Sequence, residues 1–479
     1  MRLSILRRSA TIGSHGILAA GLALTLSACD LDSLLDVPDP DILPGDRVAD
    51  PELVGPLGNG ALWEFARAYA GTAASNDQPG VVGFSGLLAD ELWYSSTFPT
   101  SREIDARSIN TDNTELDDFF HRIQRARNAA EVVADQYAAG EEPHPGPHAY
   151  MLNLAGFSYI FLGENFCSGV PYGTTSLDGV LTYGPGNTTA EIFEDAIARF
   201  DEAIGIANAA NETDQLNLAL VGKARALLNL GRFDEAAQVA ALVTEGFVNV
   251  VEYSDNASGQ QNGVWQWVNS SRRGSAASEE GTVNKGLNFF TRGEGNPGTI
   301  QTNDPRMPVR GPAVGIGTQL PAFLPLHLDE GGADLVLASW VEARLIEAEA
   351  ALDGGNSAAY LAILNDLRAN VASILPELGI PGPEDEDEVV SLDPLADPGN
   401  PQARVRQLFD ERAKWLWFTG HRLGDLRRMI RQYGFTQDQV FPTGTPIFGG
   451  AYGTDVNFPI PFQEANNPEF DGQCFDRNA

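Results

Sequence analysis

The sequence has little of what would assign a protein to a class at once: few cations, no long apolar run in its body, and no metal-binding spacing of histidine or cysteine. Its 479 residues carry 65 acidic and 31 basic side chains, for a formal net charge of −34. Nucleic acid and anionic lipid headgroups repel such a chain. The six histidines are dispersed, and no phosphate loop or zinc-protease motif occurs. We therefore expect no metal, no cofactor and no nucleic-acid partner.

The most apolar stretch lies at the N-terminus and has the form of a signal peptide. Three arginines precede an apolar run over residues 17–26, which is shorter than the about 20 residues that span a bilayer. The run closes with Leu26-Ser27-Ala28-Cys29, which resembles the lipobox of bacterial lipoproteins. We predict that residues 1–28 are a lipoprotein signal peptide and that Cys29 is diacylated, since two acyl chains give stable membrane attachment.

Residues 29–50 are predicted to form an acidic flexible tether. Seven aspartates alternate there with three prolines, and like charges with prolines keep a chain extended. The remaining two cysteines, Cys167 and Cys474, are far apart in sequence. An oxidising compartment permits a disulfide between them, and the sequence alone leaves open whether they form one or are two buried free thiols.

Apolar residues recur at helical spacing over most of the body, which predicts a mostly α-helical fold. Thr188 with Glu191 forms a capping-box sequence at one helix start. Residues 223–236 resemble the junction of two helices in a tetratricopeptide repeat, and 342–350 and 150–163 can be aligned with them. The predicted helices cover 116–137, 148–162, 188–207, 216–230, 233–243, 335–352, 358–374 and 401–433.

Between residues 254 and 325 no period emerges, and Gly, Asn, Ser and Thr dominate. Irregular regions of this length inside a compact protein are usually functional. Aromatic side chains on loops offer flat faces for ligands such as sugar rings. For Trp265 and Trp267 this interpretation competes equally with local core packing. The residues predicted to bind ligand are Trp93, Tyr94, Trp265, Trp267 and Tyr452.

Two charged stretches are candidate chemical sites. Asp90 and Glu91 offer the carboxylate pair that glycoside hydrolysis needs, although solvated acids at a helix end are the favoured interpretation. Residues 410–428 hold many charges and include His421, which titrates near neutral pH. A structural ion-pair network that holds the last helices to the core is favoured there over a functional site.

The chain resembles the SusD/RagB family of outer-membrane nutrient-binding lipoproteins. The most specific element is Glu411-Arg412 followed by Gly420-His421-Arg422-Leu423-Gly424-Asp425-Leu426-Arg427-Arg428, with a Pro-Ile-Pro at 459–461 downstream. Two features depart from what is expected: Gly424 stands where the family often has an aromatic residue, and Asp30 directly after Cys29 signals inner-membrane retention in some other bacteria. The other matching stretches are 29–40, 224–236, 340–350 and 361–368.

The resemblance implies tetratricopeptide-like helical hairpins packed with a loop-rich irregular half, in a single nutrient-binding domain over 51–479. It implies a lipid-anchored outer-membrane protein that faces the cell exterior. Such a protein captures a glycan, or sometimes a peptide, without turnover and delivers it to a SusC-like TonB-dependent transporter. The alternatives are a helical-repeat envelope scaffold that binds only protein, and a surface glycoside hydrolase.

Overall fold

The apolar periodicity of the sequence becomes a set of helices in the computed structural model, which describes residues 51–74, 79–277, 285–287, 290–292, 300–302, 304–382 and 390–479. The predicted signal peptide and tether, with Cys29, lie outside the described residues. The helices in chain order are α1 Val54–Ala70, α2 Gly80–Leu88, α3 Pro99–Asp105, α4 Thr114–Ala139, α5 Pro145–Asn165, α6 Thr189–Ala210, α7 Thr213–Asn229, α8 Phe233–Ala240, α9 Gly263–Trp265, α10 Trp340–Asp353, α11 Ser357–Ala369, α12 Val371–Glu377, α13 Pro401–Trp415, α14 Arg422–Tyr433 and α15 Gln437–Val440.

The strands are short and pair antiparallel, two by two. In the described chain β1 pairs with β7, β2 with β5, β3 with β4, β6 with β12, β8 with β9 and β10 with β11, so no larger sheet forms there. In chain order they are β1 Leu92–Tyr94, β2 Val170–Pro171, β3 Thr174–Thr175, β4 Leu181–Thr182, β5 Gly186–Asn187, β6 Val248–Val251, β7 Gly274–Ala276, β8 Phe290–Arg292, β9 Ile300–Thr302, β10 Val309–Val314, β11 Pro321–Pro325 and β12 Leu335–Ser339.

Three predicted helices were wrong in their bounds. The stretch 358–374 is divided at Asn370 into α11 and α12. The stretch 335–352 begins as strand β12, because Leu335–Ser339 pairs with β6, and the Ser339 side chain then caps α10. The stretch 401–433 is divided into α13 and α14 by a turn in which Phe418 and Gly420 have φ of 59° and 76°. The predicted helices also omit α1, α2, α3, α9 and α15. Of these, α2 is buried on every side and so carries no amphipathic stripe.

The helical hairpins pack closely because glycines on two helices accept one aromatic ring. The Phe200 ring of α6 lies between α5 and α7. A Cβ atom added at Gly222 would lie 2.3 Å from this ring, and one added at Gly156 would lie 2.7 Å from it. Gly163 of α5 receives the Phe193 ring in the same way, at 2.8 Å. Glycines within the repeat-like segment 150–163 and next to the segment 223–236 are therefore contact points between neighbouring helices.

A buried ion-pair network joins α10, α13 and α14. The Arg412 guanidinium donates two hydrogen bonds of 2.9 Å to the Asp425 carboxylate. Arg428 donates to Asp425 at 2.8 Å and also pairs with Glu349. Burial alone would raise the pKa of Asp425, but Arg412 and Arg428 hold it well below its usual range. The structural interpretation of the 410–428 stretch is confirmed.

The C-terminal segment is fastened to the strand-rich turn after α5. Cys167 and Cys474 form a disulfide, which resolves the alternative that the sequence left open. Backbone hydrogen bonds from Phe458 N–H to the Asn165 carbonyl and from Cys167 N–H to the Phe458 carbonyl, at 2.8 and 2.9 Å, extend this attachment. No helix in the described residues is long and apolar enough to cross a bilayer.

We expect Gly222→Ala to lower the free energy of unfolding by about 1–3 kcal/mol, because the added methyl group overlaps the Phe200 ring. Gly205→Ala is the matched control on α6: nothing lies within 4 Å of its added Cβ, so replacing a helical glycine there adds about 0.5–1 kcal/mol. Urea denaturation of both variants and the parent protein measures the difference. Equal stability of the two variants would contradict this packing.

Candidate functional site

Four of the five residues predicted to bind ligand lie together in the structure. Strand β1 pairs with β7, with Trp93 opposite Ser275 and Tyr94 opposite Gly274. This pairing brings Trp93 and Tyr94 beside the turn that carries Trp265 and Trp267. The Tyr94 and Trp267 rings stack with centroids 5.9 Å apart.

Three of these rings are nevertheless core residues, and the prediction that they offer faces to a ligand is contradicted by their burial. Trp93, Tyr94 and Trp267 are exposed by 1%, 0% and 2%. Gly274 leaves room for the Trp267 ring, since an added Cβ would lie 2.1 Å from it. Neither ring of the Tyr94–Trp267 stack has a solvent-facing surface in this conformation.

Trp265 and Tyr452 are only partly buried, and for them ligand contact stays a prediction. Trp265 packs against the main core at the turn that Asn262 caps. Tyr452 lies near Arg107 and Asp105, and burial raises the pKa of its hydroxyl. Its backbone N–H donates to the Gly444 carbonyl at 3.0 Å, so the loop that holds it is closed on itself.

Three apolar side chains of this region are not fully buried, and we name them the aromatic rim: the exposed Phe98 and Ile316 and the half-buried Phe448. Phe98 is 50% exposed and Ile316 is 46% exposed. The loop that carries Ile316 is held against the chain before Phe98, because Ser96 Oγ donates to the Ile316 carbonyl at 3.0 Å and Thr318 Oγ1 donates to the Ser95 carbonyl at 2.6 Å.

Arginine side chains lie beside both rings of the rim. The Arg273 guanidinium is 5.1 Å from the Phe98 ring centroid, and the Arg102 guanidinium is 5.1 Å from that of Phe448. Arg102 is itself fixed by a 2.9 Å hydrogen bond from Nε to the Ser96 carbonyl. A cation on one ring face restricts the ring's rotation and leaves its other face to bind.

A cavity of about 400 Å³ opens beside the rim, between α3 and the loop after Phe448. Arg102, Glu103, Ser108 and Asn110 bring charged, hydroxyl and amide groups to its wall. The Glu103 carboxylate accepts a 2.8 Å hydrogen bond from Asn113. Flat ring faces bordered by planar polar groups suit a ligand with an apolar face and a rim of hydroxyl groups.

Neither rim phenylalanine is among the residues predicted to bind ligand, although each carries a local signal. Phe98 precedes Pro99, which starts α3, so its side chain lies outside that helix. Phe448 precedes Gly449 and Gly450, and consecutive glycines mark a loop tip, where a neighbouring ring is not packed from all sides. The prediction named tryptophans and tyrosines, and three of these rings, Trp93, Tyr94 and Trp267, are buried in this region.

The paired carboxylates of the sequence are structural partners. Asp90 receives two hydrogen bonds from Arg422, at 2.6 and 2.7 Å. Glu91 is 1% exposed and accepts the Phe418 N–H at 2.9 Å. Burial raises the pKa of Glu91 to about 8. Within the described residues no group of three or more acidic, histidine or cysteine side chains is arranged to hold a metal ion.

No protein-family model and no curated protein matches the chain, whereas solved structures do. A SusD-like carbohydrate-binding protein from Bacteroides fragilis is 15% identical and superposes with a TM-score of 0.59, over 87% of this chain and 98% of that one. A SusD superfamily protein from Parabacteroides distasonis is 14% identical and superposes with a TM-score of 0.58, over 88% of this chain and 98% of that one. This chain has the SusD-like fold.

A SusD homolog from Bacteroides thetaiotaomicron agrees, with 13% identity, a TM-score of 0.58, and coverage of 90% of this chain and 98% of that one. The predicted fold class is confirmed: helical hairpins of the tetratricopeptide type pack with a loop-rich half. The SusD-like fold here tolerates glycine at 424 because Glu164 fills the adjoining space, with its Cδ 3.0 Å from where a Cβ would lie. Glu164 is held there by Arg225, whose Nε donates to it at 2.9 Å.

We expect Glu91→Gln to gain stability relative to the parent protein as the pH rises from 5 to 8. The unfolded chain ionises this carboxyl near its ordinary pKa of 4.5, whereas the folded pKa is about 8. The parent therefore loses up to about 1.4 kcal/mol for each pH unit in this window, and glutamine does not. Urea denaturation at both pH values measures it, with the exposed Glu142→Gln as control. A difference between Glu91→Gln and the parent that does not change with pH would contradict the buried neutral carboxyl.

Proposed function

We propose that this protein is a surface-exposed outer-membrane lipoprotein of the SusD/RagB type that captures a glycan and delivers it to a SusC-like TonB-dependent transporter. The aromatic rim and its cavity carry the proposal. The SusD-like fold, shared with proteins described as carbohydrate-binding, supports the ligand class.

The rim suits a glycan because it joins two kinds of contact. The open faces of Phe98 and Phe448 pack against the C–H faces of sugar rings, while Arg102, Glu103 and Asn110 bond hydroxyl groups in the ring plane. Phe448 lines the cavity, whereas Phe98 directly precedes α3 and is not part of the lining. A ligand that contacts both rings must therefore extend beyond the cavity, which favours an oligosaccharide over a single sugar.

Membrane attachment is proposed to depend on the lipid of Cys29. The acidic tether over 29–50 then separates the domain from the bilayer, and the strongly negative charge of the chain keeps it from lying on anionic headgroups. Capture without turnover is the simplest use of this surface, because Asp90 is paired with Arg422 and Glu91 is buried, so neither carboxylate lies in the rim cavity.

Phe98→Ala and Phe448→Ala are each expected to weaken glycan binding by about five- to thirtyfold, since each removes a stacking face whose loss costs about 1–2 kcal/mol. Binding of the purified protein to a glycan array identifies the ligand, and calorimetry with the best glycan then compares the variants. Tyr183→Ala is the control, because Tyr183 is 52% exposed on the β3–β4 hairpin and lines no part of the cavity. Unchanged affinity in both rim variants would exclude this site.

Isolation of the tagged, lipidated protein from its own outer membrane is expected to recover a TonB-dependent barrel in a fixed ratio, identified by mass spectrometry. Cys29→Ser is the control, because a protein that is not acylated should leave the membrane fraction. An intact lipoprotein recovered without any barrel would overturn the transporter partnership and favour a helical scaffold that binds only protein.

A further inference from the structure

A second cleft lies apart from the aromatic rim, between the first helix and strand β6. Its volume is about 700 Å³. Trp63 and Ala66 of α1 form one wall, Gln215 of α7 lies at one end, and β6 forms the other wall. It shares no lining residue with the rim cavity, so the two can be tested separately.

The wall that β6 contributes is the edge of the strand. Every residue from Phe247 to Tyr253 lines the cleft, although side chains along a strand alternate between opposite faces. A wall formed by consecutive residues of both faces is the backbone edge itself. Strand β12 is the neighbour of β6 on its other side, and in the described chain β6 pairs with no further strand.

The ladder with β12 determines which backbone groups face the cleft. Trp340 N–H donates to the Phe247 carbonyl at 2.7 Å, so Phe247 and, two residues on, Asn249 direct their backbone groups to β12. In an antiparallel pair the alternate residues direct theirs away.

The register shifts between Val336 and Ala338, so the extra residue lies on β12 and the alternation along β6 continues. Tyr253 N–H accordingly faces the β12 side again and donates to Asp334 at 2.9 Å. Val248 and Val250 therefore present N–H and C=O groups to the open edge, where they are available to an added strand.

The opposite wall offers a fixed apolar surface. Trp63 is 43% exposed, and its indole N–H donates to the Gly259 carbonyl at 3.2 Å. The Arg67 guanidinium lies 5.2 Å from the centre of its ring. With one ring face beside a cation and the ring plane held by Gly259, Trp63 provides a preformed contact for a side chain that enters the cleft.

The charged groups that line the cleft are both acidic. Asp214 and Glu252 are exposed, and neither forms an ion pair within the part of the chain that the structure describes. Burial, together with the Glu252 carboxylate, raises the pKa of the neighbouring Tyr150 hydroxyl. A ligand for this cleft is therefore complementary in charge if it is basic.

We propose that this cleft binds an extended, basic peptide segment, which adds to β6 as a third strand beside β12. Strand addition to an open edge supplies the affinity through main-chain hydrogen bonds, and pockets for alternate side chains supply the selectivity. The four residues of β6 offer an edge of about 13 Å. Trp63 contacts one side chain of the peptide, and Asp214 and Glu252 attract its cations.

The test uses calorimetric titration of the purified protein with the blocked peptide acetyl-Lys-Val-Thr-Val-Lys-amide. Two matched peptides separate the contributions: one is N-methylated at alternate residues so that it cannot donate to a strand edge, and one has glutamate in place of lysine. We expect the lysine peptide to bind, the N-methylated peptide to lose binding, and the glutamate peptide to bind at least tenfold more weakly.

Variants of the protein locate the peptide. Val250→Pro removes one outward N–H without removing a ladder bond to β12, and Trp63→Ala removes the opposite wall; each is expected to lower affinity at least tenfold. Glu252→Lys keeps the test valid if the proline variant does not fold. Tyr183→Ala and Phe98→Ala should bind as the parent does. The proposal would be overturned if none of the peptides bound, or if the N-methylated peptide bound as tightly as the lysine peptide. It would also be overturned if Trp63→Ala and Glu252→Lys left the affinity unchanged, or if an oligosaccharide displaced the peptide.

Discussion

Arg412 and Arg428 pair with the Asp425 and Glu349 carboxylates, and these ion pairs fix the packing of helices on which the rest of the molecule depends. These groups are buried on three helices, α10, α13 and α14. Desolvation makes such charges costly unless each finds its partners in good geometry. The helices therefore have few alternative arrangements in which all four groups keep their partners. The network selects one packing arrangement of the three helices more than it adds to the free energy of unfolding.

The network also positions a surface loop, through the turn between α13 and α14. Phe418 in that turn donates its N–H to Glu91, and Arg422 at the start of α14 binds Asp90. Asp90 and Glu91 lead directly into β1, whose pairing with β7 holds the buried Trp93, Tyr94 and Trp267. The chain that emerges from β1 reaches Phe98 and the aromatic rim. A rigid helical core thus positions a loop-borne surface, as is common in binding proteins.

The two surfaces of interest differ in what they present. The aromatic rim combines ring faces with polar side chains that include a cation and an anion, Arg102 and Glu103. Its contacts with a ligand come from side chains, so its ligand preference depends on which side chains are present. The cleft beside β6 presents backbone groups and two carboxylates. Because a strand edge recognises any extended chain while ring faces recognise flat apolar surfaces, the two are expected to select different classes of molecule.

Local sequence patterns predicted much of the helical half. The stripes of α4 to α8 gave their type and approximate bounds, and the Thr188 capping box lies where the sequence predicted it, because helix spacing and caps depend on neighbours within a few residues. The charged 410–428 stretch was likewise interpreted correctly as a network, since so many charges in an otherwise apolar helix need partners.

The aromatic residues selected from the sequence lie in one region of the fold, but the sequence did not show which rings of that region are exposed. Aromatic type and loop context selected Trp93, Tyr94 and Trp267, yet only the pairing of β1 with β7, across about 180 residues, decided that these rings are inside and that Phe98 is outside. The same holds for the Cys167–Cys474 disulfide and for the open edge of β6. The sequence by itself determined the helices α4 to α8, the Thr188 cap and the charge, which follow from neighbours along the chain. Tertiary structure decided burial, partners and exposed edges, because these depend on contacts between segments that no local pattern encodes.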